Sequence, residues 1–131
     1  MNWIDISANK IQWKSIFGEL TPPSEMTVRH ALFEGNSIRL KIAAPMLGKK
    51  YPKKWLDEYN YFDFDLYLIE VSEVKIENFR FTGLASIVAK RIDTTDMSID
   101  AEIEIKECKI KLKAKAIAIL NISGFHNDGA V

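Results

Sequence analysis

Two neighbouring stretches near the C-terminus constrain the fold more than anything else in the chain. Residues 98–106 read SIDAEIEIK and residues 107–115 read ECKIKLKAK. Ile99, Ala101, Ile103 and Ile105 share one parity, with Ser98, Asp100, Glu102, Glu104 and Lys106 on the other. Cys108, Ile110, Leu112 and Ala114 then alternate with Lys109, Lys111, Lys113 and Lys115. A period of two is the mark of a strand with one buried face. Pair the stretches as a hairpin closing near Lys106 and Glu107. Glu104, Glu102 and Asp100 then face Lys109, Lys111 and Lys113, and Ile105, Ile103 and Ala101 face Cys108, Ile110 and Leu112. Charge and apolar complementarity select the same register, and a slip by one would set lysines against isoleucines.

The same period runs through most of the chain. Ile38, Leu40, Ile42 and Ala44 alternate after the turn Glu34-Gly35-Asn36, which follows a strand over residues 26–33, and Pro45 ends this first hairpin. Phe62, Phe64, Leu66 and Leu68 alternate with Tyr61, Asp63, Asp65 and Tyr67. A further strand is expected over residues 71–81, with Phe79 and Phe81 after a bulge. Residues 84–92 read as strand, although a short helix also suits them. After Ala116 the apolar parity shifts to Ile117 and Ile119, then back to Leu120 and Ile122, as a β-bulge or a stretch buried on both faces would give. Only residues 7–17 read as helix. Trp13, Ile16 and Phe17 follow Ile6 at helical spacing, Ser7 can cap the start, and Gly18 the end. The expectation is mainly β (α+β): an antiparallel β-sandwich or strongly curved sheet with one N-terminal helix. A length of 131 residues suits a single domain, 1–131.

Residues 45–60, PMLGKKYPKKWLDEYN, lack clear periodicity and exceed the usual connection of about 4–6 residues. Such loops often carry function or a short helical turn. Lys49, Lys50, Lys53 and Lys54 cluster here. Seven acids follow between Asp57 and Glu77, offset only by Lys75. Net charge is zero, which removes the electrostatic footprint of generic nucleic-acid binding. A neutral chain can still present two oppositely charged surfaces that steer a protein partner, or the charges can be ordinary solvated faces. Tyr51, Trp55, Tyr59 and Tyr61 border them, as interface anchors or as caps on the open edge of the core. The partner-binding set read from this region is Tyr51, Lys53, Lys54, Trp55, Asp57, Glu58, Tyr59, Tyr61, Asp63 and Asp65.

The inventory for chemistry is thin. His30 and His126 are the only histidines, and neither lies near a nucleophile motif. Two distant histidines and one cysteine give no metal-ligand spacing. Cys108 falls on an apolar strand face, where a thiol behaves as a small hydrophobe. Asp63 and Asp65, two apart on an outward face, are expected to be solvated. Neither a phosphate-binding loop nor a nucleophile elbow occurs. No catalytic residue, cofactor or metal is therefore expected. No stretch of about 18 apolar residues is present, and the N-terminus lacks a secretory pattern, so no membrane association is expected.

The order of short motifs resembles one family. Ile16-Phe17-Gly18, Pro22-Pro23-Ser24, the hairpin ending at Pro45, Pro52-Lys53-Lys54-Trp55, Asn60 before an alternating strand, and a closing Ile122-Ser123-Gly124-Phe125 are similar to the family-50 immunity proteins of bacterial polymorphic toxin systems. The resemblance implies a cytoplasmic protein that binds a cognate protein toxin domain and blocks it without catalysis. A monomer or weak dimer is expected, since edge strands of an open sheet could pair two copies or be blunted by lysines such as Lys109 to Lys115. It carries over no catalytic residues. Phe17, Gly18, Pro52, Trp55 and Asn60 read as fold markers rather than toxin contacts. Inhibitors of basic nucleases are often acidic; this chain is neutral overall, which counts against a nuclease target, while the local acidity from Asp57 to Glu77 counts for one. Two alternatives are a small apolar-ligand carrier with a cavity lined by Phe62, Phe64, Phe79 and Phe81, and an enzyme built on Asp63, Asp65 and His30.

Overall fold

The computed structural model describes residues 2–46, 51–92 and 98–128. The elements in chain order are α1 (Lys10–Phe17), β1 (Met26–Glu34), β2 (Ser37–Pro45), α2 (Lys53–Glu58), β3 (Tyr61–Ile69), β4 (Glu73–Glu77), β5 (Gly83–Arg91), β6 (Ile99–Ile105), β7 (Cys108–Ala114) and β8 (Ala116–Phe125). All eight strands belong to one antiparallel sheet in the order β4-β7-β6-β5-β1-β2-β3-β8. The sheet does not close, and β4 and β8 are its edges.

β6 and β7 pair in the register that their charges and apolar residues select, with Lys106 in the turn at φ 54. Their inward residues are buried. The lysine column nevertheless does not simply bond across. Lys113 makes its ion pair with Glu73 on β4, at 3.6 Å.

β1 and β5 pair over only three residues, Met26, Thr27 and Val28 against Ala85, Leu84 and Gly83. This narrow seam divides the sheet into two halves, β4-β7-β6-β5 and β1-β2-β3-β8. Apolar side chains from both halves join one core, so the inner faces meet. The chain crosses between halves near residues 70 and 115. There Lys115 donates its N–H to the Ile69 carbonyl (2.9 Å) and Ser72 donates to Lys113 (2.9 Å). The bend at Lys115 also turns the strand by one residue. β7 buries its even positions, and β8 buries Ile117, Ala118 and Ile119 in succession, on both faces. This is the parity shift seen in the sequence.

α1 is shorter than the expected span of residues 7–17. Ser7 bonds the Ile4 carbonyl (2.7 Å) inside a turn. Asn9 is turned to the edge of β8, where its side-chain amide accepts from the Ile119 N–H (2.6 Å) and donates to the Ile119 carbonyl. The Ala8 N–H donates to Ile117 (2.7 Å). The N-terminal segment thus covers part of an edge that would otherwise offer unpaired backbone groups. Gly18, at φ 79, ends the helix in the left-handed region. Trp13 is buried against Phe64 (ring centroids 5.2 Å) and Phe17 (4.5 Å), and Trp3 stacks on Phe64 (5.9 Å).

Three further elements differ from or complete the sequence reading. The strand expected over residues 71–81 is only Glu73–Glu77. Asn78, at φ 57, ends it and donates its side-chain amide to the Glu107 carbonyl (3.3 Å). Residues 84–92 resolve into strand β5. The aperiodic stretch over residues 45–60 contains α2. Lys49, Lys50 and the last three residues, 129–131, lie outside the described residues.

Candidate functional site

Pro52 opens α2, a position where its missing N–H costs nothing. The two turns that follow bring the aromatic residues onto the end of the core. Phe17 meets Tyr51 (5.5 Å), Trp55 (6.0 Å) and Phe62 (4.9 Å). Trp55 packs edge-on to Tyr59 (6.0 Å). Tyr59 lies so close over Gly124 that a Cβ there would overlap its ring. Tyr61 tilts against Phe125 (5.7 Å). Asn60 clamps the chain end, donating to the Asn127 carbonyl (2.7 Å) and accepting its N–H (2.6 Å). Phe17, Trp55, Asn60, Gly124 and Phe125, among the residues carrying the family resemblance, therefore converge on one structural hub. Of the two roles open to Tyr51 and Trp55, the geometry supplies the core cap: both are half-buried and packed against the core.

Lys53, Lys54, Asp57 and Glu58 are exposed on the same short helix. Each acid lies four residues after a lysine, on the same side of the helix. Among the described residues, Lys53 and Lys54 of the basic run and the first two acids of the acidic run thus meet on α2. The rest of the acidic run is also matched. Glu70 pairs with Lys115 (3.0 Å), Glu73 with Lys113 (3.6 Å) and Glu77 with Lys75 (3.5 Å).

Asp63 and Asp65 face outward on β3, yet the expectation that both are solvated fails for Asp65, which is 6% exposed. Lys41 on β2 stands beside both, at 3.9 Å from Asp63 and 3.4 Å from Asp65. Asn121 donates to Asp65 at 2.8 Å. Regular β2–β3 pairing sets Lys41 opposite Asp65, and a bulge on β8 brings Asn121 to it, while a second bulge lies on β1. On β8 the register slips between the partners of Asp63 and Asp65, with Asn121 at φ 56. On β1 it slips between Val28 and His30, which makes Arg29 the extra residue. Bulges re-aim side chains in this way. Burial pushes the Asp63 carboxyl above its ordinary value. Lys41 pulls it back, the Asp65 charge adds to the rise, and Arg29 opposes it. One strand pair further on, Arg39 donates to the Tyr67 hydroxyl (3.1 Å). His30 pairs with Lys41 in the sheet, so it shares this face, but Lys41 stands between it and Asp65. The three groups do not form a His–Asp dyad. Lys41, Asn121 and Arg29 were missed by sequence reading, and only the parity break near Leu120 signalled the β8 bulge.

The four phenylalanines expected around an apolar cavity are divided. Phe62 and Phe64 are buried and stacked (6.1 Å). Phe79 is 77% exposed, and with Phe81 it lies outside the sheet. The early end of β4 at Asn78 is the physical reason. Cys108 is buried, as its strand parity requires. Among the described residues no group of three His, Cys, Asp or Glu side chains is placed to hold a metal ion, and no helix is long and apolar enough to cross a membrane.

Comparison with known proteins gives one family. The model of Immunity protein 50 matches residues 9–125. No curated protein and no solved structure matches the chain. The matched span runs from the Asn9 clasp on β8 to Phe125 and includes the whole hub around Phe17, Trp55 and Gly124. The chain belongs to the Immunity protein 50 family.

Proposed function

We propose that this protein is a cytoplasmic immunity protein that binds a cognate bacterial toxin domain and blocks it stoichiometrically, without turnover. The family match over residues 9–125 carries this reading. The fold is consistent with a binding scaffold. Phe17, Trp55 and Gly124 pack into the core or one end of the sheet, which leaves exposed outer faces open to a partner. Of the partner-binding set expected from the sequence, Lys53, Lys54, Asp57 and Glu58 are exposed and open to a partner. Tyr51, Trp55, Tyr59, Tyr61, Asp63 and Asp65 would act mainly by fixing the shape behind them.

The test is co-production with a toxin domain sought among the genes beside this one. The expected result is a one-to-one complex on co-purification at moderate salt, together with rescue of growth in cells making the toxin. A folded protein that neither co-purifies with an intact toxin domain nor protects cells would overturn the proposal.

A further inference from the structure

The outer face of β1-β2-β3-β8 matches its half-buried charges with one exception. Lys41 stands 3.4 Å from Asp65 and 3.9 Å from Asp63, and Asn121 donates to Asp65. Arg39, two residues before Lys41 on the same face of β2, is also half-buried. Yet among the described residues no carboxylate lies within ion-pair distance of its guanidinium. Its Nη1 donates instead to the Tyr67 hydroxyl (3.1 Å), and its Cζ stands 5.4 Å from the centroid of the Tyr67 ring.

A guanidinium carries five N–H donors in a rigid fork. Tyr67 takes one of them and holds the group in place, which leaves donors in the geometry that suits the two oxygens of a carboxylate. A side chain already held has less freedom to lose on binding. Its flanks are apolar. Across the sheet Leu32 on β1 lies opposite Arg39, and Ala118 on β8 lies opposite Tyr67. Leu32 is 39% exposed, and Leu120, in the next row, is 38% exposed. The charge left over on this face is positive. Arg29 and His30 are exposed, Asp63 and Asp65 are engaged by Lys41, and among the strand residues of this face Glu34 is the remaining acid. On the other half of the sheet Lys109, Lys111 and Lys113 each face an acid on β6.

We infer that Arg39, held by Tyr67, is the point at which this protein receives an aspartate or glutamate side chain of the toxin domain, in a two-pronged ion pair shielded by Leu32 and Leu120. The inference rests on the immunity reading and adds to it a contact of stated chemistry. Arginine and tyrosine enclosed by apolar neighbours are the side chains that most often dominate the energy of an interface.

Affinity for a toxin domain found among the genes beside this one is measured for the wild-type chain, Arg39→Gln, Tyr67→Phe and Lys111→Ala, with a thermal melt of each. None of these changes removes a core side chain. Arg39→Gln should bind about 30-fold more weakly or worse. Tyr67→Phe keeps the ring, releases the guanidinium, and should weaken binding by about three- to tenfold. Lys111→Ala should bind as the wild type does. Binding by Arg39→Gln within about threefold of wild type overturns the inference while the immunity reading stands. So does loss of binding in Asp57→Lys/Glu58→Lys with Arg39→Gln unaffected, which moves the contact to α2. Arg39→Glu then identifies the partner group. One toxin Asp or Glu changed to Lys should restore its binding by about tenfold or more. Failure of every such change to restore it overturns the carboxylate assignment. If the wild-type chain itself fails to bind, the functional reading falls, and the inference with it.

Discussion

The two halves of the sheet carry charge on their outer faces in different ways. On β4-β7-β6-β5 the columns Asp100, Glu102, Glu104 and Lys113, Lys111, Lys109 lie side by side, and Val88 between them and the seam is 68% exposed. Their complementarity fixes register, and as solvated groups they contribute little to stability. On β1-β2-β3-β8 the charges are fewer and interlocked. Asp65 is buried, held by Lys41 and Asn121, and a bulge on β8 aims Asn121 at it. The inner faces differ too. One half is aliphatic, with Ile99, Ile103, Ile105, Ile110 and Leu112, while the other is built on Trp13, Phe62 and Phe64. The same charged residue types specify pairing on an open face and bear structure where bulges and burial enclose them.

The largest test of this contrast is on the inner faces. Trp13→Ala should cost about 3–5 kcal/mol in urea unfolding, against about 0.5–1.5 kcal/mol for Ile103→Val in the aliphatic half. Equal effects from the two would erase the distinction. On the outer faces, Asp65→Ala leaves Lys41 and Asn121 without their buried acceptor and should cost about 1–3 kcal/mol. Lys111→Ala should stay within about 0.5 kcal/mol. A comparable loss from Lys111→Ala would show that the open face is not merely solvated.

Packing at the hub can be tested at Gly124. Gly124→Ala should destabilise by about 1–3 kcal/mol by displacing the Tyr59 ring. In a double-mutant cycle Tyr59→Ala should relieve most of that cost, and additive losses would mean the two do not clash.

The smallest effect concerns pH. The Asp63 carboxyl is raised in the fold, chiefly by burial, so the folded state holds its proton more tightly than the unfolded state. Its stabilising contribution is present below the ordinary carboxylate value and is lost as pH rises through the folded value. Asp63→Asn should therefore gain stability relative to wild type as pH increases across that range. A stability difference that is flat with pH, or that shrinks, would contradict this.

Local pattern made much of the fold legible. Alternation located the strands, charge complementarity set the β6–β7 register, and Gly18 marked the end of α1. Each depends on neighbours in sequence or on one adjacent strand. Only the tertiary structure shortened β4, because the Asn78 bond to Glu107 joins residues far apart in sequence and turns Phe79 out of the sheet. It also drew Asn9 away from capping α1, because the edge of β8 offered its side chain two backbone partners at once. The candidate site was readable only in part. Asp63 and Asp65 stood out as a pair, but the bulge in β8 that sets Asn121 against Asp65 did not. The aromatics around residue 55 were visible as aromatics, and only packing against Phe17, Phe62 and Gly124 decided that they close the core. The sequence by itself determined which residues can face inward along each strand, since that follows from backbone period. Where strands stop, which edges are covered and which rings remain outside were decided by contacts between distant segments, which no local pattern encodes.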